Sequence, residues 1–152
     1  MTIPQAKGMV DTSQKAVTAR KAIASAEIKL GKKAFTALIK NQSPKGNVLE
    51  TAKVAGIMAA KNTPAIIPMC HPLELNKATI SYKMKKSSSL IMIKAEVVYV
   101  GRTGVEMEAL TAVTACALTI YDMMKWADKG MTIRHIKLLY KSGGKSGVYD
   151  RT

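Results

Sequence analysis

From Arg20 to Leu30 the chain alternates, with Ala22, Ala24, Ala26, Ile28 and Leu30 on one side and Lys21, Ser25, Glu27 and Lys29 on the other. Successive side chains of a β-strand point to opposite faces, so this period of two predicts a strand with one buried and one wet face. Gly31 ends it. A sheet built around such a strand has to be covered on one side.

The rest of the chain supplies the cover. Phe35, Leu38 and Ile39 stand at helical spacing within residues 32–40, and a second helix is expected over 48–61, with NQSPKGN as the turn between them. The segment PAIIPMCHPLE holds three of the five prolines and predicts a stiffened irregular loop. Strands are expected at 78–84 and 90–100, joined by KKSSS as a hairpin tip. A long helix over 105–128 and a last strand over 131–140 follow, the latter with Ile133, Ile136, Leu138 and Leu139 as its apolar positions. This order predicts an α+β chain of ferredoxin-like, split βαβ type, with an antiparallel sheet and helices packed on one face. Ile91, Met92 and Val98 suggest a second face that is not wholly polar, so a partner chain is expected there and the molecule is expected to be a homo-oligomer.

A length of 152 residues suits a single domain spanning 1–152, with residues 1–10 expected to be flexible and 141–152 forming a basic, glycine-rich C-terminal segment. Cys70 and Cys116 are expected to be free thiols. The start, MTIPQAKGMVDTSQ, lacks a basic stretch followed by an apolar run, and no segment is apolar for long enough to span a bilayer. The expectation is a cytoplasmic protein with no membrane partner. Its net charge of +14 attracts anions without choosing among them.

Chemistry concentrates in GRTGVEMEALTAVTACALTIYDMMKW, residues 101–126, where Glu106, Glu108 and Asp122 punctuate an otherwise uncharged run. The chain has only ten acids against 24 Lys and Arg, and carboxylates on a nearly apolar element are costly to bury unless paired or employed. Glu106 and Glu108 fall in the first helical turn, where the helix dipole favours acids; capping explains one of them, and a pair beside Met107 could also accept ligand N–H groups. Asp122 has Lys125 one turn away, which is either a solvated ion pair or an acid–base couple. The small residues between them read as packing.

His71 lies between Pro68 and Pro72 next to Cys70, on a loop suited to hydrogen-bond a phosphate or a heterocycle. Metal binding fits poorly, because no third and fourth ligand stands at recognisable spacing. KSGGKSG near the C-terminus fails as a phosphate-binding P-loop, since Leu139 stands where that motif needs glycine, yet Gly143, Gly144, Gly147, Lys141 and Lys145 could form a looser anion site or a basic tail. Lys45 and Lys61 are single lysines at loop boundaries.

Four segments in this order, MVD (9–11), PMCHPLEL (68–75), RTGVEMEALTAVTACALTIYDMMK (102–125) and LLYKSGGKSG (138–147), resemble the molybdenum cofactor biosynthesis protein C family, the cyclic pyranopterin monophosphate synthases. The resemblance implies a lyase-type rearrangement of a 3′,8-cyclised dihydro-GTP intermediate into cyclic pyranopterin monophosphate with loss of pyrophosphate. It implies no cofactor, with Mg²⁺ at most accompanying the triphosphate, no metal centre, and a ferredoxin-like subunit in a homo-hexamer, a trimer of dimers, with sites at subunit interfaces. By the same resemblance Asp122, Lys125 and Lys45 are catalytic positions, while Met69, Cys70, His71, Met107 and Glu108 bind substrate, joined by Glu106, Lys61, Lys141 and Arg20. Two departures stand out: Met69 in place of leucine, and Asn47 in place of an aspartate that would lie near Lys45.

On this reading Lys45, Lys61, His71 and Lys141 are expected to hold the triphosphate, Glu106 and Glu108 the ring N–H groups, and Asp122 and Lys125 to move protons. The rival is a basic RNA-binding sheet, which needs stacking aromatics; strand 90–100 offers only Tyr99, so no nucleic-acid partner is expected.

Overall fold

The computed structural model describes residues 1–152. Strand β1 (Thr18–Lys29) is followed by helices α1 (Lys32–Ile39), α2 (Val48–Lys61) and the short α3 (Thr63–Ile66). Strands β2 (Lys77–Lys85) and β3 (Leu90–Gly101), helix α4 (Glu106–Met124), and strands β4 (Thr132–Gly144) and β5 (Gly147–Asp150) complete the chain. The sheet order is β2-β3-β1-β4-β5, and every pairing is antiparallel. Its first four strands have the ferredoxin-like order, with helices packed on one face as the alternation in β1 requires.

Ala22, Ala24, Ala26 and Ile28 are fully buried beneath α4, opposite Ile91, Ile93, Ala95 and Val97 of β3 and its helix-facing side. Alanine in β1 keeps that strand's surface flat, so the helix layer can sit close over it. Gly56 of α2 serves the same purpose against α4, since a Cβ there would come within 3.0 Å of the Ala112 carbonyl oxygen. Ile91 therefore belongs to the covered face, and Met92 and Val98 alone remain of the apolar residues assigned to the open one. That open face is dominated by charge: Lys21 and Lys77 pair with Glu96, and Arg134 with Glu27.

Three local outcomes differ from the sequence expectation. The proline-rich segment begins with the helical turn α3, because Pro64 occupies its first turn, where no backbone N–H is needed. Strand β4 is longer than expected and irregular; His135 has φ 53° and the register shifts beside Ser25, so Ile136 turns out to solvent. The glycine-rich C-terminal segment is a β-hairpin, β4–β5, and not a tail. Gly143 makes that path possible. Its φ is 97°, and a Cβ there would lie 2.0 Å from the Ala19 carbonyl oxygen.

Candidate active site in two halves

The first half lies at the N-terminal end of α4. The loop after α3 folds back over this end, so Met69, Cys70 and His71 line one cavity of about 220 Å³ with Glu106, Met107 and Glu108. Glu106 is also part of the wall of an adjoining cavity of about 540 Å³ whose lining includes Arg20, Lys15, Lys141 and Lys145. The two cavities share Lys15, Thr103, Gly104 and Glu106.

The two glutamates of the first turn have different fates. Glu106 pairs with Lys141 and so joins the helix end to β4. Glu108 is 4% exposed, and its Oε2 is buried without any hydrogen-bond partner. Burial is the main cause that lifts its carboxyl from the ordinary range to about 7, with the Glu106 charge adding to the rise. The Cys70 thiol is pushed up as well, by burial and then by the nearby Glu108. An orphaned carboxylate oxygen in a cavity wall is a polar group held ready for a donor.

Arg20 is buried in β1 and held from both sides. Its Nε donates to the Gly101 carbonyl and one terminal nitrogen to that of Ala16, each at 3.2 Å. The β4–β5 hairpin, turning at Lys145–Ser146, brings Lys141 and Lys145 to the same cavity. The result is a wall of four cations, suited to a polyanion.

The second half lies at the other end of α4. Asp122 accepts from Lys45 Nζ at 2.6 Å through Oδ2 and from Lys125 Nζ at 2.8 Å through Oδ1. Ser43 places Lys45 there: its hydroxyl donates to the Met123 carbonyl at 2.9 Å and accepts from Lys45 N at 3.3 Å. Asn47 caps α2 by accepting from Glu50 N, so Lys45 takes its partner from α4 and not from position 47. Asp122 remains about half exposed, and the Lys125 and Lys45 ammonium groups hold its carboxyl down at about 2, while Lys125 is raised. Of the two readings of this couple, the protomer shows the solvated ion pair; the carboxyl raised toward neutrality is that of Glu108.

Lys61 joins neither half. It lines another groove, with Pro72 and Leu73. Sequence reasoning also missed Lys15, Thr103 and Gly104, whose lining positions depend on how the N-terminal segment crosses the 102–104 turn; nothing in their local spacing marks them. No group of three or more His, Cys, Asp and Glu side chains gathers to hold a metal ion. Tyr99, the one aromatic of strand β3, is half-buried and packs against the core.

Comparison with known proteins completes the assignment. The model of the MoaC family matches residues 9–144, which takes in both halves of the site except Lys145. The chain belongs to the MoaC family. Among MoaC relatives, the cyclic pyranopterin monophosphate synthase of Thermoanaerobacter pseudethanolicus is 53% identical over 143 residues, covering 94% of this chain and 90% of the relative. That of Staphylococcus carnosus is 52% identical over 144 residues, covering 94% and 89%, and that of Listeria monocytogenes is 53% identical over 141 residues, covering 93% and 88%. The MoaC match and these relatives extend over the whole β1–β4 scaffold.

Proposed function

We propose that this chain is a cyclic pyranopterin monophosphate synthase, a lyase of molybdenum cofactor biosynthesis acting on a 3′,8-cyclised dihydro-GTP. The observation that carries the reading is Glu108, its Oε2 buried and unpartnered, in the lining of the His71 cavity next to the four-cation cavity, in a chain about half identical to such synthases. Glu108 accepts N–H groups of the ring, which suits an acceptor with no partner of its own. Arg20, Lys15, Lys141 and Lys145 hold the triphosphate. When the α-phosphorus gains its new ester oxygen and its bond to pyrophosphate breaks, these cations stabilise the departing charge. The overall conversion is redox-neutral, so no redox cofactor is assigned, and Mg²⁺ would arrive on the triphosphate as part of the substrate.

Asp122, Lys125 and Lys45 move protons on the ring, but not for their own protomer's cavity. Glu108 and Asp122 are separated by fourteen residues of one helix, about 21 Å along its axis. A second copy closes the gap. The outward stripe of α4, with Met107, Thr114, Ala115 and Leu118, carries no charge between Glu106 and Asp122. Two such helices crossing antiparallel about a two-fold axis near Thr114 and Ala115 set the Met107 end of one against the Asp122 end of the other. Each dimer then holds two complete sites, and three dimers make the hexamer. There a neighbouring subunit covers Asp122, which shifts its pKa upward toward useful values.

No helix is long and apolar enough to cross a membrane, and both cysteines are free thiols; the cytoplasm is the compartment we assign. The deciding experiment is incubation with the cyclised GTP intermediate followed by mass analysis. Cyclic pyranopterin monophosphate and pyrophosphate are the expected products, and unchanged starting material with folded oligomer refutes the reading.

A further inference from the structure

Trp126 is the chain's one tryptophan, and it is 52% exposed. It stands in the turn that continues α4, where Lys125 N donates to the Tyr121 carbonyl and Ala127 N to that of Met124, each at 2.9 Å. The helical path is kept, so Trp126 lies four residues on from Asp122 and on the same side of the axis. Its neighbour Ala127 packs against the core, leaving the indole outside it. A large aromatic is thereby presented next to Lys45, Asp122 and Lys125, each of which keeps about half of its side chain exposed.

We infer that Trp126 is a stacking platform for the fused nitrogen heterocycle of the ligand, purine- or pterin-like, and so a binding and specificity residue of this site. The inference rests on the proposed synthase reading. The three ionised groups beside it, Lys45, Asp122 and Lys125, can meet the polar edges of a bound ring. A flat heterocycle covers the indole face and leaves its polar edges to those same groups. The stack also adds a broad face: Glu108 can grip the edge of a ring, and the His71 imidazole is the one aromatic side chain lining the cavity of Met69 and Met107.

A sole tryptophan reports on its own contacts. Titration of the intact oligomer with GTP is expected to quench the intrinsic emission saturably, whereas inorganic triphosphate, the tail without the ring, leaves it unchanged. Trp126→Ala is expected to raise KM for the cyclised intermediate on the order of tenfold or more with little change in kcat, the range lost with one base–aromatic stack, and Trp126→Phe to restore most of it. Unchanged KM in Trp126→Ala, or no GTP-dependent quenching in an enzyme that forms product, overturns the inference and leaves the synthase reading intact. A Trp126→Ala protein of smaller sedimenting mass, with activity lost in proportion, assigns the indole to a subunit contact and also overturns it. Quenching by GTP in a protein that yields no product leaves the stacking standing and fells the synthase reading instead.

Discussion

Glu108 and Asp122 sit on one helix with their carboxyls driven in opposite directions: burial raises Glu108 to about 7, and Lys125 and Lys45 hold Asp122 at about 2. One end of α4 thus carries an acid whose proton is held more tightly because it is buried, the other a carboxylate between two ammonium groups. The difference follows from what covers each end. The His71 loop closes over Glu108, while nothing within the protomer closes over Asp122.

Asp122→Asn removes the acceptor of two lysines without touching the core. The variant should fold and assemble with a melting temperature close to the parent's and should still bind GTP. Its product formation should fall by about 10²–10⁴, the usual worth of a positioned acid–base group. Full turnover in a mass-detected assay would refute the role.

Glu108 makes stability depend on pH. Its folded-state pKa lies above the ordinary carboxyl value of 4.5, so the native chain binds the proton more tightly than the unfolded one. That contribution is complete below pH 4.5, declines as pH rises through 7 and is absent above it. Glu108→Gln should flatten the slope between about pH 4.5 and 7, worth at most about 3 kcal/mol. Urea midpoints of both proteins at the two pH values measure it.

Sites shared between protomers can be rebuilt from two dead variants. Asp122→Asn and His71→Ala should each be inactive, yet after subunit exchange an equal mixture should recover about one quarter of parental activity, because half the dimers are mixed and each mixed dimer has one intact site. No recovery after exchange, shown by mass-tagged subunits, would place each site within one protomer.

Gly143→Ala forces a side chain into the Ala19 carbonyl at a backbone angle that only glycine adopts readily. About 3 kcal/mol of destabilisation is expected, lowering the melting temperature by roughly 6–12 °C for a chain of this size. Affinity for triphosphate should drop with it, since the same hairpin carries Lys141 and Lys145 to the Arg20 cavity. Calorimetry with and without triphosphate separates the two effects.

Local physics made much of this chain legible. The period of two in Ala22 to Leu30 and the helical spacing from Val48 to Lys61 fixed element, face and nearly the residue limits, because each pattern needs only its own neighbours to be read. The acids of 106–122 announced themselves by rarity among 24 basic residues. Where local pattern met a bulge it failed. Ile136 looked like a core position and is exposed, because the His135 irregularity shifts the residues after it.

The residue types of the site were written in the sequence, but their protonation and their grouping were not. Spacing set Glu108 and Asp122 within a quarter-turn of each other around α4, and only the loop of residues 67–73 folding back over one end made the first buried and the second open. A carboxyl's pKa answers to what surrounds it in three dimensions, and those surroundings come from segments distant along the chain. Hence composition and periodicity determined the scaffold, while the tertiary fold decided which acid is buried and which is ion-paired, and left the site divided between the two ends of a helix.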